Sequence, residues 1–184
     1  MKCSCAPGIV VAVDVDNLLI SSANSDFRGY SMEAGFERMI TWLETFGQIL
    51  CMHLYLPISR CLASDEKFRE LWEKHKNNFP FEVVYCPKKS GESGGMIDDV
   101  DRHLISHTES LIQLLGNQVK YLCIASGDLD YSPMIWRVKR ERGVEIAFAV
   151  GNEFSFSKVY RQTTIIAKHP VTGEELVHYF SPRA

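Results

Sequence analysis

The chain has 184 residues, 46% of them hydrophobic and 23% charged, with a net charge of −3. That is one domain by size, with an ordinary globular composition and enough length to bury a substantial core. The negative balance excludes general electrostatic attraction to nucleic acid, so such a partner would have to be held by a local basic patch.

Residues 9–15 form a near-continuous Ile/Val/Ala run, the pattern of a strand buried on both faces. A helix is expected over 31–47, with Ser31 as N-cap and Phe36, Met39, Ile40, Leu43 and Phe46 at helical spacing. Residues 49–56 read as a second strand closed by Pro57, and a helix from Ser64 to about Asn78 follows, with Phe68, Leu71 and Trp72 on its apolar side. Residues 81–86 make a third strand, and the Gly/Ser-rich stretch 88–95 reads as flexible. A third helix runs from about 98 to 115, and a fourth strand covers 120–125. Ser132 and Pro133 then predict the N-cap and first turn of a helix to Arg142. Gly143 ends that helix before a fifth strand at 144–150, a short helix near 157–162 and a strand at 164–167.

Strands separated by helices require crossovers, so an α/β fold with a mainly parallel sheet of five to six strands, covered on both faces, is expected. One domain spans 1–184, with its core at about 9–167. The start lacks the continuous apolar stretch of a signal peptide, and no run approaches the ~20 apolar residues of a membrane span. Cys51, Cys86 and Cys123 lie in apolar runs and read as reduced core thiols, while Cys3 and Cys5 lack a second pair for a zinc site. The expectation is a soluble, cytoplasmic protein without a membrane partner, and a homo-oligomer is left open.

Ligands of open parallel sheets sit at the carboxyl ends of the strands, where strand order reverses. Asp14, Asp16 and Asn17 follow the first strand; Ser126, Asp128 and Asp130 follow the fourth. Carboxylates gathered at one edge repel unless a cation lies between them, and oxygen-only donors suit Mg²⁺ or Mn²⁺. Asp14, Asp101 and Asp128 are the expected metal ligands, with Asp130 and Asp98 as further acids and Asn17 and Ser126 as hydrogen-bonding groups that aim them. Blander readings stand beside these: Asp98 and Asp99 suit a helix N-terminus, and Asp130 suits a turn. Arg137, Lys139, Arg140 and Arg142, with Lys88 and Lys89, are either an RNA-binding surface or a solvated charged face. Tyr131 could stack on a base or simply pack. His103 and His107 have zinc-pair spacing without a third ligand.

Val13-Asp14-Val15-Asp16-Asn17-Leu18 resembles the opening Asp-x-x-Asn-Leu motif of the NYN domain family, relatives of the PIN-domain ribonucleases. Val100-Asp101-Arg102-His103-Leu104 is similar to that family's second acidic motif, and Ser126–Pro133 resembles its Ser-Gly-Asp-x-Asp-Phe-x-Pro motif. The resemblance implies a Rossmann-like PIN fold and metal-dependent cleavage of RNA, with Asp14, Asp101 and Asp128 on the metal and Asp130 in support. The chain departs from the family in carrying Asp98-Asp99 where Lys-Gly is frequent, and in having no acid over 157–167. Two other functions compete: a non-catalytic RNA-binding module, and a haloacid-dehalogenase-like phosphatase with Asp14 as nucleophile and Asp16 as general acid. The phosphatase reading is opposed by Leu18 and by the acid spacing at Asp128 and Asp130.

Overall fold

A computed structural model describes residues 6–18, 32–58, 66–90 and 96–180. Strand β1 (Gly8–Asp14) is buried along its whole length, as its apolar run from Ile9 to Val13 requires, and that burial takes in Asp14 at its end. It is followed by α1 (Met32–Glu44), β2 (Gln48–Pro57), α2 (Glu66–His75) and β3 (Phe81–Cys86). Next come β4 (Lys88–Ser90), β5 (Met96–Asp98), α3 (Val100–Leu115) and β6 (Val119–Ala125). The chain continues through α4 (Ser132–Arg142), β7 (Glu145–Val150), α5 (Lys158–Arg161) and β8 (Val177–Tyr179).

The main sheet has the order β3-β2-β1-β6-β7-β8, with every neighbouring pair parallel. From β1 the chain steps outward to β2 and β3, then returns to lay β6, β7 and β8 on the other side. Strand order therefore reverses between β1 and β6, which opens a crevice at their carboxyl ends.

Alternation along β1 decides which way its last residue points. Ile9, Val11 and Val13 pack with Met39, Ile40 and Leu43 of α1. Val10 and Ala12 pack in the opposite layer with Leu104 of α3 and Met134, Ile135 and Val138 of α4. Asp14 has the parity of Val10 and Ala12, so it leaves the strand on the α3/α4 side.

Three expectations change. The stretch 88–95 is not all irregular: Lys88, Lys89 and Ser90 pair antiparallel with Asp98, Ile97 and Met96. The intervening residues 91–95 lie outside the described residues. The strand expected at 164–167 shrinks to a single bridge, Ile146 to Ile166, and the sheet gains its sixth strand from Val177–Tyr179 instead. Ser132 is not the cap of α4. A 3₁₀ turn at Leu129–Tyr131 precedes the helix, and Asp128 caps that turn by accepting a hydrogen bond from the Asp130 amide. Ser31 and Ser64, and the side chain of Phe68, lie outside the described residues.

Candidate active site

Asp14 is 6% exposed, a carboxylate set into an apolar sheet. Its Oδ1 accepts from the Asn17 amide at 3.1 Å, within the helical turn over residues 15–18. The Tyr131 hydroxyl lies 2.8 Å from Asp14 Oδ2 and 2.6 Å from Asp101 Oδ1. Burial pushes the Asp14 carboxyl up from 3.8 to about 6; the Asn17 amide and the Tyr131 hydroxyl pull it down, and the Asp101 and Asp16 charges push it further up.

A phenol carries one proton. Tyr131 can therefore serve one carboxylate at a time, and the other faces an oxygen lone pair. Asp101 is exposed and open to solvent, so the deficit falls on the buried Asp14 and is met when it takes up a proton or when a cation settles on the pair. Burial raises the Tyr131 phenol strongly, so it keeps its own proton.

The end of β6 is tied to the same place. Asn17 Oδ1 accepts from the Gly127 amide at 3.3 Å, linking the loop after β1 to the loop after β6. Ser126 is fully buried and its Oγ accepts from the Asp128 amide at 3.2 Å, while the Asp128 carbonyl accepts from the Tyr160 hydroxyl at 2.7 Å. Asp128 thus has a fixed backbone, and one oxygen of its side chain holds the Asp130 amide. Asp130 is exposed on the turn.

Asp14 and Asp101 are brought together; Asp128 is a neighbour occupied with its own loop. Among the described residues, no group of three acid, His or Cys side chains stands ready for a metal. Two carboxylates still fit Mg²⁺ or Mn²⁺, which are commonly held by one or two carboxylates with waters and substrate phosphates completing the shell. Oxygen-only donors and the missing proton both suit a hard cation there.

The basic residues of α4 are engaged elsewhere. Arg137 pairs with Glu109 at 2.5 Å, Lys139 with Glu145 at 2.8 Å and Arg140 with Glu141 at 3.0 Å. Lys139 and Glu145 line a separate cavity of about 720 Å³ with Lys120, where β6 begins. Seven residues of strand separate that end from the crevice, roughly 20 Å at strand rise. Lys89 forms an ion pair of 2.5 Å with the buried Asp99, so the strand pair β4–β5 is tied to the start of α3. Lys89 chiefly holds the Asp99 carboxyl below its usual range, which offsets the extra acid of the Asp98-Asp99 departure. Lys88 is exposed on β4, and the side chain of Asp98 lies outside the described residues.

His103 and His107 do not converge: one ring nitrogen meets the Asp99 carbonyl, the other the Tyr55 hydroxyl. Tyr131 is fully buried, which removes it as a base-stacking surface and makes it the link between two acids. The sequence held one signal for this. Tyrosine stands where the family motif has phenylalanine, and only the hydroxyl differs.

The NYN domain family matches residues 8–166, nearly the whole of the sheet just described. The chain belongs to the NYN domain family. That places it among PIN-like, nuclease-type domains and sets aside the phosphatase reading of Asp14 and Asp16. A crystal structure of a protein of unknown function from Vibrio parahaemolyticus is similar with a TM-score of 0.63 at 16% identity. The match covers 88% of this chain and 91% of that one, and it supports the fold alone. MurG from Acinetobacter baumannii, at 11% identity, covers 96% of this chain and 47% of its own with a TM-score of 0.44, too low to carry an argument. No curated protein matches the chain. Among the described residues no helix of this NYN domain is long and apolar enough to cross a membrane.

Proposed function

We propose that this NYN domain is a metal-dependent ribonuclease that cleaves RNA phosphodiester bonds with Mg²⁺ or Mn²⁺ at Asp14 and Asp101, with Asp128 completing the site. The observation that carries this is the shared phenol: two carboxylates from separate elements meet at one hydroxyl with one proton too few. A bound divalent ion would supply Lewis acidity, lowering the pKa of a water and offsetting charge on the phosphate. Asp14 contributes the charge that holds it, and the Asn17 amide fixes which oxygen is turned inward. Asn17 also fastens the two loops through Gly127, so Asp14 and Asp128 keep a constant spacing. Ser126 and Tyr160 lock the Asp128 backbone and the Asp130 amide holds one oxygen of its carboxylate, which leaves the second oxygen for the ion, with Asp130 in support from the turn.

RNA approaches over the strand pair carrying Lys88 and Lys89, which adjoins Asp99 at the head of α3. Arg137, Lys139 and Arg140 can take part only by exchanging their glutamate partners for phosphate. The test is cleavage of single-stranded and structured RNA with Mn²⁺, with EDTA, and in Asp14→Asn. Cleavage abolished by EDTA and reduced on the order of a hundred-fold or more by the substitution is expected, since several kcal/mol of transition-state stabilisation pass through the ion. Full activity in EDTA would overturn the proposal.

A non-catalytic RNA-binding module is the second reading, favoured by the engagement of Asp128 in its own turn. RNA binding without Mn²⁺-dependent cleavage above the Asp14→Asn level would establish it.

A further inference from the structure

The loop over residues 151–157 carries two phenylalanines with opposite fates. Phe156 is buried and packs on Phe148 and Tyr160, with ring centroids 4.9 and 5.8 Å away. Phe154, two residues earlier, is 97% exposed. A single exposed aromatic on a surface is ordinary. This one differs in how it is mounted and in what it stands beside.

The mount is rigid. Asn152 Oδ1 accepts from the amides of Phe154 at 2.8 Å and Ser155 at 3.0 Å, and Ser155 Oγ donates to the Asn152 carbonyl at 2.8 Å. The loop is also fastened to the Ser-Gly-Asp segment. The Ser157 amide donates to the Gly127 carbonyl at 3.1 Å, and a Cβ at Gly127 would overlap the Ser155 carbonyl. Only glycine lets the loop lie this close to the segment that ends in Asp128. Tyr160, against which Phe156 packs, holds the Asp128 carbonyl directly.

Phe154 therefore stands at a fixed distance from Asp128. Together with Asn17, Asp128, Leu129 and Lys158 it lines an open cavity of about 640 Å³. Lys158 is exposed and, among the described residues, no acid is paired with it. An apolar ring and a cation on one groove, beside a candidate phosphodiester-cleaving acid, match a nucleotide: a base for the ring and a phosphate for the lysine.

We propose that Phe154 is a base-stacking platform of the RNA track, holding an unpaired nucleotide next to the scissile phosphate while Lys158 takes its backbone. The inference rests on the ribonuclease reading and adds to it a preference for single-stranded substrate, since a base within a duplex offers no free face. Stacking alone discriminates weakly between bases, so the preference is for unpaired strand rather than for sequence.

The test is fluorescence anisotropy of a labelled oligouridylate, in EDTA so that nothing is cleaved, with wild type, Phe154→Ala and Phe154→Trp. Phe154→Ala should bind roughly ten-fold more weakly, the loss of one base stack, and Phe154→Trp should restore affinity. An abasic nucleotide walked along the strand should weaken wild-type binding at one position and leave Phe154→Ala indifferent there. Unchanged melting temperatures are expected, because the ring makes no buried contact. Wild type that cleaves RNA while Phe154→Ala binds and cleaves equally well would overturn the inference and leave the ribonuclease standing. Wild type that neither binds nor cleaves RNA would remove both. Loss of self-association in Phe154→Ala, with RNA affinity intact, would assign the ring to a protein contact and overturn it as well.

Discussion

Asp14 ends one strand of the sheet and Asp128 follows its parallel neighbour, yet they face different physical problems. Asp14 is buried, short of a proton, and shares the Tyr131 hydroxyl with another acid. Asp128 is half-exposed, holds a turn amide, and has its backbone secured on both sides. Two aspartates in one motif pattern can thus carry opposite loads: one stores electrostatic strain that a cation would relieve, the other builds the loop beside it. The difference follows from parity and depth, since Asp14 is still within the pleat of β1 whereas Asp128 lies beyond the end of β6.

The sharpest contrast lies in the response to pH. Asp14 binds its proton more tightly folded than unfolded, so between its ordinary 3.8 and about 6 the folded protein holds the extra proton. Its contribution to stability is then greatest at low pH and declines as pH rises through that window, by about 3 kcal/mol in the metal-free protein. Denaturant titrations from pH 4 to 8 should show this slope in wild type and a flatter one in Asp14→Asn. Divalent-ion binding displaces that proton and should tighten as pH rises through about 6.

Tyr131→Phe removes the hydroxyl and keeps the ring. It should cost on the order of 1–3 kcal/mol at pH 8, where a buried carboxylate loses a donor, and less at pH 5, where Asp14 is protonated. Equal losses at both values would mean that the hydroxyl does not bridge the acids. Asp128→Ala should cost about 1 kcal/mol for the lost cap, while Asp128→Asn, whose amide oxygen can still accept, should melt close to wild type. If both melt alike, Asp128 does not serve its turn. The smallest effect belongs to α4: Arg140→Gln should leave RNA affinity nearly unchanged beside Lys158→Gln, measured by the same anisotropy.

Much of this was legible from residue order. The buried run of β1, the alternation of strands and helices, and the acids after β1 and β6 all follow from local pattern. What escaped depended on partners remote in sequence. Arg137 and Lys139 read as an open basic surface because Glu109 and Glu145 lie on other elements. Lys89 meets Asp99 only once β4 has folded onto β5. Val177–Tyr179 is too short and too polar at His178 to show a period, and it becomes a strand only because β7 offers an edge. Tyr131 looked like packing or a stacking ring because its one distinctive atom acts only where α3 and β1 meet.

The central claim is tested most directly by Mn²⁺ binding, measured by titration calorimetry at pH 7.5 on wild type, Asp14→Asn and Asp101→Asn. Saturable binding in the parent protein, lost or greatly weakened in each substituted protein while both remain folded, is the expected result. Equal Mn²⁺ affinity in all three would show that these acids do not form the ion's seat, and the ribonuclease assignment would fail with it.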